Sequence, residues 1–301
     1  MKIAIIGAGA MGTLFAGLLA KSGNQISILT NNTKTEKRIN KNGLTITGLS
    51  KFHIPPSKIL ITANPHKIKE SNLIIILVKS YDTVSVISSI KNMMNNNTHI
   101  LTLQNGIGNY ENIIKSVNKS KVIVGSTSQS AEFLDYGKIK HTGKGETIIG
   151  NTNSAVSKKI IEVFKRCGIK TVLVGKMDSV IWSKLVLNCA INPVTAISGV
   201  KNGELIRYNN LKEVAIEAGK EVIKVADELG IKLLYSDITK KIEDTCKATA
   251  QNINSMLVDI KRNRKTEIEN MNGAVIRIAR KHNLPMYVNK CLYQIIGEIV
   301  K

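Results

Sequence analysis

The chain opens MKIAIIGAGAMGTLFAGLLAKSG, and the eighteen uncharged residues between Lys2 and Lys21 constrain it more than any other stretch. Such a run serves as a removable export signal, a membrane span, or a strand and helix joined by a turn. Gly7, Gly9, Gly12 and Gly17 decide among the three. Glycine costs about 1 kcal/mol relative to alanine inside the continuous helix that a signal or span requires. Ile3 to Ile6 instead make a short apolar run stopped at Gly7, which predicts a buried strand. From Ala10 to Lys21 the apolar residues Met11, Leu14, Phe15, Leu18 and Leu19 recur at helical spacing. Strand, glycine turn and helix give G-x-G-x-x-G its meaning. Gly7 permits the tight turn, Gly9 lets a pyrophosphate approach the backbone, and Gly12 lets helix and strand pack closely. Ala8, Ala10 and Met11 complete the loop expected to contact a dinucleotide. The helix then directs its N–H groups and positive dipole end at the phosphates.

Strand and helix signals alternate through the first half. Strands are predicted at Gln25 to Leu29, Leu44 to Thr47, Ile59 to Thr62, Asn72 to Ser80, His99 to Gly108 and Lys121 to Ser128. Repeated βα units of this kind build a doubly wound parallel sheet. The stretch GKIKHTGKGETIIG, Gly137 to Gly150, predicts a β-hairpin with a glycine turn of its own. A helix at Ala155 to Cys167 and a strand at Lys170 to Val174 follow. After Gly175 the apolar period becomes helical and stays so. The fold class expected is α/β, an N-terminal Rossmann-like doubly wound sheet (1–175) followed by an all-helical C-terminal domain (176–301).

Composition narrows the partners. The net charge of +21 would suit nucleic acid, yet the lysines are strewn singly and aromatics are only 4%, so base-stacking platforms are scarce. The charge instead favours an anionic cofactor and an anionic substrate. Cys167, Cys189, Cys246 and Cys291 lie far apart with no histidine cluster, which predicts four buried thiols in a reducing, cytoplasmic setting and no metal site. Beyond the opening, the longest apolar run noted is Leu73 to Val78, too short to span a membrane.

Three groups of residues could carry chemistry. Lys184, Asn188 and Asn192 in SKLVLNCAINP are spaced by four, so successive side chains rotate by only about 40° around a helix. They form either a polar ridge in an apolar neighbourhood or one wet helix face. Pro193 should bend or end that helix. Ser255 and Asp259 lie one helical turn apart, and a polar run separates them from Glu267. A bend there would bring Glu267 back toward Ser255; otherwise Glu267 is an ordinary first-turn acid after Thr266. Asn105 in LQNGIG follows the carboxyl end of a strand, where ligands bind in such sheets, although Asn-Gly is also a common turn pair.

Together these residues resemble one family, the ketopantoate reductases. The resemblance runs through GAGAMG, LVKSYD, LQNGIG, KIKHTGKGETIIG, WSKLVLNCAINPVTAI, NGEL, NSMLVDI and KRNRKTEIENMNG, nearly the whole chain. It implies NADPH-dependent reduction of 2-dehydropantoate to (R)-pantoate on the route to pantothenate and coenzyme A. By the family pattern Lys184 is the general acid and binds the substrate oxygen. Asn105, Asn188, Asn192, Asn202 and Ser255 match substrate positions, with Met256, Leu257 and Val258 beside the carboxylate. Asn105, Ala131 and Glu267 match cofactor contacts, Glu267 also acting in catalysis, and Lys79 matches a basic residue near the adenosine phosphate. One position departs. Asn31 stands where many members place an arginine for the 2′-phosphate, and no acid replaces it, so Lys34, Lys37 and Lys79 are left to serve that phosphate and NAD becomes a weaker alternative to NADP. The expected partner is a small 2-keto acid, with no nucleic acid and no membrane, and a homodimer is compatible with this pattern. The alternatives are a related dehydrogenase acting on another 2-keto acid and a dinucleotide-sensing regulator.

Overall fold

A computed structural model describes residues 1–150 and 154–300. The chain forms two compact units, one of Met1–Gln104 with Asn109–Met177, the other of Asn105–Gly108 with the chain from Asp178 onward.

The first unit holds strands β1 (Lys2–Ile6), β2 (Gln25–Leu29), β3 (Leu44–Gly48), β4 (Phe52–Ile54), β5 (Ile59–Thr62), β6 (Leu73–Ile76), β7 (His99–Thr102), β8 (Val122–Asp135), β9 (Lys138–Gly150) and β10 (Thr171–Val174). Helices α1 (Ala10–Lys21), α2 (Thr33–Asn42), α3 (Thr83–Ser89), α4 (Asn109–Ile114) and α5 (Ser154–Arg166) accompany them. The sheet runs β4-β3-β9-β8-β7-β6-β1-β2-β5, with β10 added against β9. β1 pairs in parallel with β2 on one side and β6 on the other. From β1 the sheet extends through β2 and β5 on one side and through β6, β7 and β8 on the other. The strand order therefore reverses at β1, whose carboxyl end is where such sheets bind ligands. Two apolar clusters cover the sheet: Phe15 of α1 against Phe164 of α5, with ring centroids 5.8 Å apart, in one, and Ile6, Ile74, Ile76, Ile87 and Ile113 in the other. That two-sided burial explains why β6 is apolar at every position.

The predicted hairpin within Gly137 to Gly150 is absent. Lys138–Gly150 is one continuous strand paired antiparallel with β8, and the turn falls at Tyr136 and Gly137. Gly143 and Gly145 meet a packing constraint instead. A Cβ on Gly143 would lie 2.4 Å from Ser130 Oγ, and one on Gly145 would lie 2.3 Å from Ser128 O. They permit close approach at the register shifts between the strands.

The second unit is helical: α6 (Met177–Ser198), α7 (Asn202–Leu205), α8 (Asn209–Glu228), α9 (Ile238–Ala248), α10 (Ser255–Lys261), α11 (Asn272–Lys281) and α12 (Tyr287–Ile299). Trp182, Val186, Ala190, Val222, Ile242, Val275 and Ile296 contribute to a single apolar core. Pro193 does not end α6, which continues to Ser198. α6 is also long and apolar enough to span a membrane by length and composition, contrary to the expectation that no such stretch follows the opening; most of it is buried in the helical core. The cysteine expectation needs one correction as well. Cys167, Cys189 and Cys246 are buried, but Cys291 is exposed on α12. The apolar face of α12 is carried by Leu292 and Ile296, so Cys291 falls on the opposite side.

The glycine loop separates two roles by geometry. A Cβ on Gly12 would stand 1.8 Å from Gly7 O, whereas one on Gly9 meets no atom within 4 Å. Gly12→Ala should therefore lower Tm by roughly 5 °C or more, since overpacking costs about 1–3 kcal/mol and each kcal/mol is worth about 2–4 °C at this size. Gly9→Ala should cost less, only the exchange of a favoured N-cap residue for a poor one, and thermal circular dichroism of both variants checks the pair.

Candidate active site

Gly7 follows β1 with φ of +106°, and its N–H donates to Leu29 O at 2.9 Å. A side chain at that φ would be strained, so the turn requires glycine. Gly9 is the N-cap of α1 and offers no side-chain cap, and the first turn of α1 carries no acid. Ala8, Ala10 and Met11 are half-buried beside it. An uncapped helix N-terminus next to open space at Gly9 fits a phosphate group. The loops after β2 and β6 flank this turn, because both strands pair in parallel with β1. After β2, Asn31 is exposed, while Asn32 caps α2 by accepting from Lys34 and Thr35 N–H at 2.9 and 3.1 Å. Lys34 and Lys37 are exposed on α2. After β6, half-buried Lys79 precedes a 3-10 turn at Ser80–Asp82. Ala131 lies on the extension of β8 past its pairing with β7, opposite His141.

In the second unit α6 carries Lys184, Asn188 and Asn192 at the expected spacing. Lys184 and Asn188 are half-buried and Asn192 is 8% exposed, so the ridge is not a wet helix face. Protein atoms crowd the Lys184 ammonium, and desolvation lowers its pKa from 10.5 to about 8, against the charge of Glu267, which raises it. Glu267 is 5% exposed. It is not a first-turn acid of α11, which begins only at Asn272; it precedes a 3-10 turn at Ile268–Asn270. The polar run before it does bend, with Asn263 in the left-handed region at φ of +50°.

Asn105 belongs to this same unit. Ile107 N–H donates to Asn270 O at 3.1 Å, and Asn270 N–H donates to Glu267 O at 3.0 Å. Gly106, with φ of +76°, lies so near that a Cβ would be 2.4 Å from Asn270 O. The Asn105 loop and the Glu267 turn are thus one assembly.

The remaining predicted residues divide. Asn202 opens α7, buried, its N–H donating to Asn252 O and its Nδ2 to Thr249 Oγ1, both at 3.0 Å, while its Oδ1 is buried with no partner among the described residues. Such an acceptor is fit for a donor group of a ligand. Ser255 is exposed at the start of α10, Val258 is half-buried, and Asp259 is buried. Met256 and Leu257 pack into the helical core, so their side chains are not presented for binding. Two residues went unnoticed in the sequence. Asn254 caps α10 through Leu257 N–H and also donates to Asn192 O and Thr195 Oγ1, and Asn272 donates to Cys189 O at 3.1 Å. Asn254, directly before an apolar helix, carried a capping signal; for Asn272 the signal was indirect, the carbonyl that Pro193 must leave without a donor.

A glycine-turn dinucleotide fold in one unit and a partly desolvated lysine beside a buried acid in the other define a two-domain dehydrogenase. Sequence comparison is consistent with this. A family described as ketopantoate reductase PanE/ApbA matches residues 3–154, and its C-terminal counterpart matches residues 176–300. The 2-dehydropantoate 2-reductase of Pyrococcus horikoshii is 36% identical, covering 98% of this chain and 96% of the relative. That of Archaeoglobus fulgidus is 31% identical, covering 99% and 97%. Among solved structures, the PanE/ApbA family ketopantoate reductase of Ralstonia eutropha JMP134 matches with a TM-score of 0.90 and 26% identity, covering 100% of this chain and 98% of its own. A D-mandelate dehydrogenase with NADH and anilino(oxo)acetate matches at 0.92 and 25%, with the same coverage. The chain belongs to the ketopantoate reductase family of NAD(P)-dependent oxidoreductases.

The lysine–acid pair can be tested without any substrate. Glu267→Gln removes the charge that favours the ammonium, so the Lys184 titration should move below about 8. The pH dependence of amine modification at Lys184, followed by peptide mass spectrometry, reads the shift; an unmoved titration would show that the two charges do not interact.

Proposed function

We propose that this chain reduces 2-dehydropantoate to (R)-pantoate with NADPH, a step toward pantothenate and coenzyme A. The observation that carries this is the Lys184 ammonium, desolvated to a pKa of about 8 beside Glu267 and on the same helix as Asn188 and Asn192. When bound, the dinucleotide supplies a hydride, and Gly7 to Gly12 with the N-terminus of α1 are the groups that would hold its pyrophosphate. Hydride addition turns a ketone oxygen into an alkoxide, and a positioned ammonium both stabilises that charge and protonates it. A pKa near 8 keeps Lys184 charged at neutral pH yet ready to give up its proton. Glu267 keeps that proton on in the resting site. Asn188, Asn192, Asn202 and Ser255 offer neutral hydrogen-bonding groups for the carboxylate and hydroxyl of a small acid, joined by Asn105 from the loop anchored at Asn270. Turnover of 2-dehydropantoate against a panel of 2-keto acids, followed by NADPH oxidation, tests the substrate. A second substrate class is favoured by one observation: the similar D-mandelate dehydrogenase is described with an oxoacetate, so an aryl 2-keto acid belongs in that panel. A sensor would have no use for a proton donor.

Lys184→Ala should lower kcat by about 10²–10⁴-fold, the range for positioned general acids, while NADPH still binds. Arginine should not restore the rate, since it holds its proton too tightly. For wild type, reduction should fall as pH rises through about 8 and oxidation of the hydroxy acid should rise over the same range, because the first needs the ammonium and the second the free amine. Near-native turnover by Lys184→Ala would falsify the assignment.

The cofactor preference rests on charge. With Asn31 exposed and no carboxylate in its place, Lys34, Lys37 and Lys79 supply positive charge for a 2′-phosphate. Point charges discriminate less than a bidentate arginine and are screened by salt. Lys79→Ala should therefore raise the KM for NADPH more than that for NADH, and the wild-type preference should shrink as salt is added. Equal effects on both cofactors would remove Lys79 from the phosphate site.

A further inference from the structure

Cys189 is the residue whose carbonyl Pro193 abandons. Along an α-helix the carbonyl of residue i accepts from the N–H of residue i+4, and proline has none to give. The freed carbonyl finds its donor far along the chain. Asn272, the first residue of α11 and fully buried, donates from Nδ2 to Cys189 O at 3.1 Å. The same Nδ2 donates its other hydrogen to Asn289 Oδ1 at 2.9 Å. Asn289 is itself fixed, donating from Nδ2 to Ala218 O at 2.8 Å and to Glu221 Oε2 at 2.7 Å. Glu221 further accepts from the N–H groups of Val288 and Asn289, both at 2.9 Å, and so anchors the start of α12.

This chain dictates the orientation of the Asn272 amide. Turned over, its oxygen would face Cys189 O and Asn289 Oδ1, two acceptors. As it stands, Asn272 Oδ1 is buried with no partner among the described residues. Folded proteins seldom leave a buried amide oxygen bare. Here both donors are kept at that cost, and one of them goes to the carbonyl between the two ridge asparagines. Cys189 directly follows Asn188, precedes Asn192 by three residues, and lies just over one turn past Lys184.

We propose that Asn272 is a positioning residue for the reduction: by holding the carbonyl that Pro193 frees, it sets the course of α6 where Asn188 and Asn192 project relative to Lys184. This rests on the function proposed above. Asn272 reaches the reaction only through α6. Without the bond, α6 relaxes at the proline, and the two asparagines shift relative to the ammonium. Misplacement of about 1 Å at a reacting centre costs on the order of 10²-fold.

Asn272→Leu, similar in size, removes the donor and the bare acceptor together. We expect kcat to fall about tenfold or more while the KM for NADPH stays within about twofold, because the loss lies in geometry on α6. Pro193→Ala returns an N–H to Cys189 O within the helix. In that background Asn272→Leu should cost about threefold or less, a coupling that separates positioning from packing. An equal loss in both backgrounds, or wild-type kcat in Asn272→Leu, would overturn the proposal. Should Asn272→Leu fail to fold, Asn272→Ser, smaller and too short to reach Cys189 O, takes its place in the same cycle. If the wild-type chain turns over no 2-keto acid, the proposed function fails, and the Lys184 amine titration still decides the role of Asn272. A titration shifted by Asn272→Leu and restored by Pro193→Ala supports it, and an unmoved titration overturns it.

Discussion

Taking an ammonium out of water costs several kcal/mol unless something nearby repays it. The second unit is organised around keeping one such group, Lys184, partly desolvated on α6. Burial lowers its pKa, and the charge of Glu267 opposes that. The compromise near 8 is useful only if the lysine cannot swing away, and α6 is fixed at several points. Leu234 N–H donates to Ser183 Oγ at 2.8 Å, Tyr235 Oη donates to Ser183 O at 2.9 Å, and Asn254 and Asn272 reach the helix beyond the lysine. Glu267 is held by backbone links to Asn270, which also receives Ile107 of the Asn105 loop. Charge and scaffold are therefore one problem. The acid that tunes the lysine stands in the turn that anchors the loop expected to touch substrate.

The parts legible in the sequence are those whose physics is local. Gly7, Gly9 and Gly12 announced a strand, a turn and a helix because each role depends on neighbours within a few residues. Lys184, Asn188 and Asn192 shared a ridge because helical spacing is fixed. Glycine also shows where local inference stops. In Gly143 and Gly145 the sequence presents the same residue type as a turn, but the reason for it is Ser130 and Ser128 on the next strand. Pro193 similarly signals a broken helix, yet α6 continues, and the carbonyl that the proline frees is met by an amide 83 residues further along from Cys189. Cys291 has the composition of a core residue and the helical phase of a surface one. For Gly143, Gly145 and Pro193 the deciding contact is long-range, which no spacing encodes.

The phosphate edge of the first unit shows a different kind of economy. Asn32 spends its side chain capping α2, satisfying two N–H groups that would otherwise point outward. That leaves Asn31 as the exposed residue at the end of β2, too short and uncharged to grip a phosphate as arginine does. Positive charge in this stretch is carried by the exposed lysines Lys34 and Lys37 on α2. A point charge at the end of a flexible stem gives attraction without geometry. The overall charge of +21 acts in the same sense, raising the local concentration of any anionic cofactor without distinguishing one from another.

In the proposed function, catalysis and recognition draw on opposite uses of the same residue type. At the surface of α2, lysines are exposed, and the value proposed for them lies in a charge that salt can screen. On α6 Lys184 is partly desolvated, and the value proposed for it lies in a proton that can leave. The difference comes from burial and from what the chain must supply to tolerate it. Lys34 and Lys37 need only solvent. Lys184 has Glu267 to favour its charge, asparagines that add no further charge on the same helix, and a helix that continues through a proline. In the arrangement proposed, keeping the lysine and asparagines in register falls to Asn272, Asn289 and Glu221, tied to one another by side-chain hydrogen bonds.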